Sequence, residues 1–387
     1  MRIATATLCG VAAAALMAVS AHAAGTIKIG LIIPYSGQFA DTGVQMDNAI
    51  KLYMKQHGDM VAGKKIEIIR KDVGGINPPV AKRLAQELIT RDHVDILAGF
   101  ALTPNAMAAG DVSKAGKKFM VVMNAATSSI TKKSPYLART SLTIPQLEYS
   151  FGKWAEKNGV KNVYTMVANY GPGKDAEVWF QKGFKAAGGK IAGSVRMPVR
   201  NSDFSSYVQK AKDTNPGGVF VFIPGGTQPA AFAKALRDRG MDPQHFKTLA
   251  QGELTLDESL KSVGDSALGI ITVFHYDWSH KSAKNKAFVA AYEKEFHRHP
   301  DIFSIGGYDG MHLIYAALKK TKGNASAAKL IAAAKGMHWE SPRGPISIDP
   351  KTRDIVQNVY IRKVEKVNGQ LQNVEIATIK NVKDPAK

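Results

Sequence analysis

Short apolar runs typical of buried strands alternate with longer stretches that carry apolar residues at a helical period. The first run, at 27–34, ends at Pro34 and is followed by a helical pattern over 41–57. Further strands are predicted at 65–70, 94–98 and 118–123, and further helices at 79–91 and 104–114. Strands that alternate with helices predict a parallel sheet covered by helices on both faces.

The same alternation restarts near residue 145 and gives a second block of the same kind. Its predicted helices are 145–158, 175–187, 204–213 and 229–239, and its predicted strands are 162–168, 191–195, 218–223 and 246–249. Two successive blocks in a chain of this length predict two lobes, each with its own sheet.

The last third of the chain departs from this pattern. A strand at 269–274 precedes three helical stretches without intervening strands, at 283–299, 304–321 and 325–334. We expect these helices to complete lobe 1, and we expect a β-rich tail with a hairpin turn at Asn368-Gly369 to close lobe 2. The predicted bounds are 24–144 plus 277–335 for lobe 1 and 145–276 plus 336–387 for lobe 2.

Residues 1–23 have the three parts of a secretory signal. Arg2 supplies the positive end, 8–19 is a short apolar stretch, and 21–23 matches a small-x-small cleavage pattern. The apolar stretch is shorter than the about 20 residues that a membrane helix needs. We therefore expect a removable signal and a periplasmic protein that is not embedded in the membrane. Cys9 lies inside this signal and has no counterpart later in the chain, which excludes disulfides, thiol catalysis and cysteine-ligated metals from the exported protein.

The chain is strongly basic, with 52 Lys and Arg against 32 Asp and Glu and a net charge of +20. This charge raises the possibility of nucleic-acid binding, but the cations are spread thinly in pairs such as Lys64-Lys65 and Lys319-Lys320. Export also separates the protein from nucleic acid. We interpret the charge as a solvated basic surface that attracts anionic ligands, and we expect no nucleic-acid partner.

Motifs of common enzymes are missing from the sequence. The run Gly171-Pro172-Gly173-Lys174 lacks the spacing of a phosphate-binding loop, and GxGxxG, HExxH and GxSxG do not occur. His297 and His299 are two residues apart, a spacing that does not bring two side chains to one helix face. We expect no catalytic residues, no cofactor and no metal. An exported hydrolase remains an alternative, because a triad assembled in space leaves no local motif.

Ligands of parallel sheets bind beyond the carboxyl ends of the strands, so the residues that follow each strand are the candidates. Thr103-Pro104 is predicted to start a helix with Thr103 as N-cap, and a helix N-terminus attracts a carboxylate. Thr127 and Ser128 add hydroxyl groups in the loop after the next strand. Alternatively, Thr103 only caps its helix and Thr127 only shapes its loop.

The second block offers Tyr170, which can cover an apolar ligand, and Glu253, which can pair with an ammonium group. Each of these residues taken alone is also compatible with an ordinary loop position.

The order of several segments resembles the type I periplasmic solute-binding proteins of ABC importers, in the branch that contains the leucine/isoleucine/valine-binding proteins. The segments are IKIGLIIPYSGQFADTGVQMDNAIKLYM, ILAGFALTPNAMA, MNAATSSITKKSPYLART, NYGPGKDAEVWFQKGFKAAGG, DFSSYVQKAK, ALGIITVFHYDWS, GGYDGMHLI and RGPISIDPKTRDI. The resemblance implies an α/β fold with two Rossmann-like lobes, joined by three crossovers, that close around one ligand like a flytrap.

The resemblance also implies site residues. In the amino-acid binders of this family the ligand's carboxylate is held at positions that match Thr103, Ala125 and Thr127. The aromatic residue of the second lobe matches Tyr170, and Thr227 falls where another residue often faces the ligand.

The acid that pairs with the ligand's ammonium group is expected near Gly252 and Glu253. The most direct alignment places Gly252 at that position and Glu253 one residue away, so carboxylate capture is expected and ammonium capture is left open. Related binders of aromatic acids lack this acid, and an aromatic slot is expected to be lined by Tyr35, Phe39, Phe100 and Tyr170.

The sequence thus predicts a monomeric carrier, not a catalyst. It would capture a small carboxylate, either a hydrophobic or branched-chain amino acid or an aromatic acid, and deliver it to an inner-membrane ABC permease. The alternative is a periplasmic ligand-sensing subunit that uses the same two-lobed fold.

Overall fold

The structure is a computed structural model that describes residues 25–200 and 203–387. The predicted signal at 1–23 lies outside the described residues. The first part of the chain contains β1 (Thr26–Ile33), α1 (Ala40–His57), β2 (Met60–Val61), β3 (Lys64–Asp72), α2 (Pro78–Thr90), β4 (Ile96–Gly99), α3 (Thr103–Ala115), β5 (Phe119–Val122) and β6 (Leu137–Arg139).

The middle of the chain repeats this alternation. It contains α4 (Ile144–Lys157), β7 (Asn162–Ala168), α5 (Gly171–Ala186), β8 (Lys190–Met197), α6 (Ser205–Asp213), β9 (Val219–Phe222), α7 (Gln228–Asp238), β10 (Thr248–Gln251), α8 (Asp257–Val263) and β11 (Ile271–Phe274).

The last part contains three helices followed by four strands. These are α9 (Ala283–Phe296), α10 (Ile302–Lys320), α11 (Ala327–Ala334), β12 (His338–Ser341), β13 (Gly344–Ile348), β14 (Ile355–Val367) and β15 (Gln370–Val382).

Two sheets divide the described chain. The first has the order β2-β3-β1-β4-β5-β6 and is parallel except for β2. The second has the order β12-β13-β14-β11-β10-β9-β7-β8, with β15 paired to β14. Its strands β7 to β11 are parallel, whereas β12 to β15 pair antiparallel, because hairpins connect them. The second sheet is therefore mixed: its parallel part matches the alternating pattern of the second block, and its antiparallel part is the β-rich tail that was expected to close lobe 2.

Lobe 1 consists of the first sheet with α1–α3 and α9–α11, and lobe 2 consists of the second sheet with α4–α8. Helix α10 packs along α1 and against β4 and β5, which returns the third segment of the chain to lobe 1. The chain crosses between the lobes after β6, after β11 and after α11. We call the surroundings of these three connections the crossover region.

The central strands of lobe 1 are apolar on both faces because helices cover both. Along β4, Ile96 and Ala98 belong to the core shared with α1 and α10, whereas Leu97 belongs to a second core under α2 and α3. Neighbouring residues of a strand point to opposite faces of the sheet. The side chains of residues that follow a strand can therefore also lie on either face.

Several local predictions differ from the structure. Leu102, not Thr103, occupies the N-cap of α3, and α5 begins at Gly171, before the predicted helix start at residue 175. The three-residue strand β6 and the seven-residue helix α8 were not predicted, because elements this short carry no readable period. The hairpin turn is confirmed, and Asn368 and Gly369 both have positive φ, 50° and 81°.

No helix within the described ranges is long and apolar enough to cross a bilayer.

Candidate ligand-binding site

A cavity lies between the lobes, where the carboxyl ends of β4 and β5 face those of β7, β9 and β10. Its lining residues are Phe39, Thr42, Ala101, Leu102, Thr103, Asn124, Ala126, Ile144, Tyr170, Pro172, Phe222, Pro224, Gly225, Glu253 and Phe303. The cavity volume is about 20 Å³, room for about one water molecule. The lobes are therefore closed on each other, and a ring-sized ligand needs them to move apart before it enters.

A larger groove of about 670 Å³ opens elsewhere, between α8, the end of α9 and the hairpin of β14 and β15. Charged side chains line it, among them Asp257, Glu293, Arg298 and Lys366, and most of them already pair with one another or with neighbours. The interlobe cavity is apolar with a few polar groups, the usual character of a small-molecule site. We therefore place the candidate site in the cavity between the lobes.

Two threonines lie on the lobe 1 side of the cavity: Thr103 is one of the lining residues, and Thr127 lies next to it, outside the lining. Thr103 is the first residue of α3, and its Oγ1 accepts a hydrogen bond from the Thr127 N–H at 3.4 Å. Thr127 Oγ1 is buried and has no hydrogen-bond partner among the described residues. Thr103 thus does not cap its helix but turns toward the next loop, and this side offers hydroxyls beside a helix N-terminus.

Helix α5 of lobe 2 closes onto the same two threonines. A Cβ atom added at Gly171 would lie 3.0 Å from Thr127 Oγ1 and 3.5 Å from Thr103 Cγ2. A larger side chain at position 171 would push the lobes apart. The N-termini of α3 and α5 therefore approach each other here, and both bring partial positive charge without a cationic side chain.

The loop that carries Thr127 is tied to lobe 2 by hydrogen bonds. The Ser128 N–H donates to Asp175 of α5 at 3.1 Å, and Ser128 Oγ donates to Asp384, beyond β15, at 2.7 Å. These bonds cross the cleft, so they hold the closed arrangement.

Glu253, not Gly252, faces the cavity. A Cβ atom added at Gly252 would lie 2.3 Å from Phe274 Cδ1 and 2.4 Å from Arg362 Nη2, so position 252 points into the interior of lobe 2. Glu253 lines the cavity, and its Oε2 accepts the Gly225 N–H at 2.6 Å. The turn over Gly252–Thr255 thus directs the carboxyl of Glu253 into the cleft.

Burial raises the pKa of Glu253 to about 7, and the hydrogen bond from Gly225 opposes this shift. No Lys, Arg or His occurs among the lining residues, so no cation neutralises this carboxyl. Burial and the nearby charge of Glu253 also raise the pKa of the Tyr170 hydroxyl well above its ordinary value.

Aromatic side chains form the remaining walls. Tyr170 and Phe222 of lobe 2 lie with ring centroids 6.2 Å apart, and Phe39 and Phe303 of lobe 1 complete the lining. Phe222 is the last residue of β9, so it lies at the carboxyl end of a strand, where ligands of parallel sheets bind. It was not among the predicted site residues. Phe303 comes from the first turn of α10, and no sequence signal linked that helix to the cleft.

The other predicted site residues lie outside the cavity. Thr227 is exposed in a neighbouring cleft of about 350 Å³. The side chains of Phe100 and Ala125 belong to the core under α2 and α3. Tyr35 is half-buried beside Asp47 and Arg70, and burial raises its pKa.

Within residues 25–200 and 203–387, no group of three or more His, Cys, Asp or Glu side chains is arranged to hold a metal ion.

The sequence profile described as "Periplasmic binding protein" matches residues 26–370. The chain belongs to this family. These findings confirm the predicted family and the two-lobed α/β fold, and solute binding, the predicted function, is that of the family.

Alignments with similar proteins cover nearly the whole chain. The "Leu/Ile/Val-binding protein homolog 6" of Brucella melitensis is 44% identical over 372 residues, 95% of each chain. A solute-binding protein of an ABC transporter from Rhodopseudomonas palustris BisB5, in complex with 3,4-dihydroxybenzoic acid, is 52% identical with a TM-score of 0.90. A second such protein, from Rhodopseudomonas palustris HaA2 in complex with p-hydroxybenzoic acid, is 43% identical with a TM-score of 0.91. Each alignment with these structures covers 93% of this chain and 99% of the other.

Proposed function

We propose that the protein captures a small aromatic carboxylic acid of the benzoate class between its lobes and delivers it to an inner-membrane ABC permease. The ligand's carboxylate would bind at Thr103 and Thr127, and its ring would lie between Tyr170, Phe222 and Phe39. The protein would act as a carrier that releases its ligand chemically unchanged.

The observation that carries this proposal is the chemistry of the cavity. Its lobe 1 wall has the Thr103 hydroxyl and the N-terminus of α3, with the unpartnered Thr127 hydroxyl next to them, and these groups suit one carboxylate. Its remaining walls are mainly apolar and aromatic, which suits a flat ring. The two Rhodopseudomonas palustris relatives were solved with hydroxylated benzoates, which supports the same class of ligand here.

A hydrophobic amino acid is the second candidate ligand. Glu253 lines the cavity and has no cationic partner there, so it can pair with an ammonium group. The name of the Brucella relative also points to this class. The two candidates differ in their demand on Glu253, because only the amino acid needs its negative charge.

The remaining parts of the proposal concern the cellular setting. Residues 1–23 would be removed on export to the periplasm, where the mature chain would act as a monomer. The lobes would comprise 24–144 plus 277–335 and 145–276 plus 336–387. Phe100, Ala125 and Gly252 would contribute through their backbones at most, and Tyr35 and Thr227 would act only after the cleft has opened.

A ligand screen tests the proposal. Thermal unfolding of the mature protein is followed with benzoate, 4-hydroxybenzoate, leucine, isoleucine and valine, and calorimetry gives the affinity of each compound that shifts the transition. We expect the aromatic acids to raise the unfolding temperature, because a ligand that binds only the folded state stabilises it. Stabilisation by the amino acids alone would refute the proposal.

A further inference from the structure

In the proposed placement the ligand's carboxylate binds at Thr103 and Thr127 of lobe 1, away from the carboxyl of Glu253 in lobe 2. This carboxyl lines the same small cavity, and its only hydrogen bond within the described chain is the one from the Gly225 N–H to Oε2. Placing a second negative charge in this cavity is unfavourable, because the surroundings are apolar and contain no cation. An ionised Glu253 therefore needs a partner other than the ligand's carboxylate.

We infer that Glu253 recognises a hydroxyl group on the ligand's ring, and that the protein takes up a proton at Glu253 when it binds such a ligand. This inference rests on the proposed function and names the substrate class more narrowly, as hydroxylated benzoates. The carboxylate of the ligand lies at lobe 1, and the ring extends toward Glu253 of lobe 2.

The geometry supports a hydrogen bond at this position. The Gly225 N–H fixes Oε2, and Glu253's own N–H donates to Gln251 Oε1 at 2.9 Å, so backbone contacts hold the turn on both sides. The second carboxyl oxygen keeps its capacity to donate when protonated or to accept when ionised. A phenolic hydroxyl can meet either state, whereas an unsubstituted ring leaves the carboxyl without a partner.

The charged and titratable groups near Glu253 favour proton uptake. Tyr170, the residue before α5, also lines the cavity, and its raised pKa keeps its hydroxyl neutral. The loop before α7 gives Glu253 one hydrogen bond, from the Gly225 N–H, and no charged group. Helix α10 adds the uncharged side chain of Phe303 to the cavity lining. Asp257 of the adjacent α8 is engaged elsewhere, by Trp278 and His299, and Asp301 caps α10. Since the pKa of Glu253 is already about 7, a nearby ligand anion needs to shift it only slightly to protonate it at neutral pH.

The pH dependence has a definite sign for each ligand class. For an aromatic anion the neutral form of Glu253 is the binding form, so affinity falls as pH rises above about 7, by up to about tenfold per pH unit. For an amino acid the ionised form pairs with the ammonium group, so affinity rises over the same range. His299 also titrates at the lobe boundary, where Asp257 and Glu293 bind it. Its contribution is common to all variants at position 253 and cancels when they are compared.

The experiment measures the affinities of 4-hydroxybenzoate and benzoate by calorimetry at pH 6, 7 and 8. The variants are the unmodified protein, Glu253→Gln, Glu253→Leu and the control Glu365→Gln, which alters an exposed glutamate of lobe 2 paired with Lys363. We expect the unmodified protein and the control to prefer 4-hydroxybenzoate by at least about tenfold, the ratio that one lost hydrogen bond to a buried polar group produces. Glu253→Gln should keep part of this preference and lose the fall in affinity above pH 7, and Glu253→Leu should lose both.

Two outcomes would overturn the inference, and they can be told apart. If both acids bind but the preference and the pH dependence survive in Glu253→Leu, Glu253 does not recognise the hydroxyl, and the proposed function stands. If neither acid binds the unmodified protein, the proposed function fails and the inference fails with it. Thermal unfolding without ligand verifies that each variant is folded.

Discussion

The lobes meet in two regions that treat buried charge in opposite ways. In the crossover region three buried arginines each pair with an aspartate, at 2.6 Å for Arg139–Asp354, 2.9 Å for Arg343–Asp309 and 3.0 Å for Arg362–Asp277. In the cavity the one carboxyl has no cation, and Asn124 Oδ1 has no hydrogen-bond partner among the described residues. In the first region each of the three arginines thus has a counterion, although the Thr140 and Ser141 hydroxyls there have no partner within the described chain. In the second region the carboxyl of Glu253 has no counterion.

This difference separates the fixed part of the lobe contact from the part that opens. Removing one partner from a buried ion pair is costly, so the crossover region resists rearrangement. The cavity side is held by the hydrogen bonds of Ser128 and by the contact at Gly171, which exchange with water at a smaller cost. The lobes are therefore expected to pivot about the crossover region and to open at the cavity.

The largest effect is expected for Asp354→Ala. It leaves the fully buried Arg139 guanidinium without its counterion, and it also removes a partner of Lys387. We expect the free energy of unfolding to fall by about 3–5 kcal/mol, measured by urea denaturation. Glu365→Ala breaks an exposed pair and should cost at most about 1 kcal/mol. Equal losses in the two variants would contradict the contrast between paired buried charges and surface charges.

Glu148 of α4 is a buried acid near the crossover region without a hydrogen-bond partner, and burial raises its pKa well above the ordinary value. The folded state then holds a proton that the unfolded chain releases above its ordinary pKa of 4.5. Stability is therefore lost as pH rises from that value toward the raised pKa, by up to about 1.4 kcal/mol per pH unit.

Glu148→Gln should remove this loss. Unfolding experiments at pH 5 and pH 7 should give a stability gain, relative to the unmodified protein, that is larger at pH 7. A gain that is independent of pH would mean that Glu148 does not titrate in this way.

Thr103→Ala and Thr127→Ala test the cavity side of the comparison. Each variant should weaken binding of an aromatic carboxylate by about 1–3 kcal/mol, because the bound anion loses one donor, while stability changes little. Calorimetry measures the affinity, and Thr90→Ala, at the far end of α2, serves as the control. Unchanged affinity in both cavity variants would place the carboxylate elsewhere.

The smallest effect is expected at His299, which links lobe 1 to Asp257 of lobe 2 at 2.6 Å and stacks on Trp278. The bond to Asp257 raises the pKa of His299, so the ion pair exists at low pH and is lost as pH rises through that raised pKa. His299→Gln should weaken ligand binding by up to about 1 kcal/mol at pH 6 and less at pH 8, because the pair supports the closed form. An effect of the same size at both pH values would exclude the charge as its cause.

The sequence predicted the location of a residue correctly where that location follows from the order of the strands and turns along the chain. Thr103 and Thr127 follow β4 and β5, which are adjacent parallel strands, so their meeting at one sheet edge was predictable. The Asn368-Gly369 turn was predictable because its backbone conformation favours these residue types.

Other features depend on geometry that no pattern carries. Within a tight turn each residue points in a new direction, so the choice between Gly252 and Glu253 needed the structure. Phe303 reaches the cavity only because α10 folds back onto α1. The two helices are far apart in sequence, since Tyr308 of α10 bonds to Gln56 of α1, 252 residues earlier. Phe100 and Ala125 follow the expected strands, but their side chains point to the opposite face of the sheet.

The lack of cations in the cavity makes it a filter for charge as well as for shape. One carboxylate can be held by neutral donors, but a dicarboxylate such as terephthalate would bring its second anionic group against Glu253. Inorganic dianions would meet the same barrier and would find no ring contacts to offset it. In a medium rich in sulfate, phosphate and diacids, the pocket would therefore stay open to monoanions, although the surface of the protein attracts every anion.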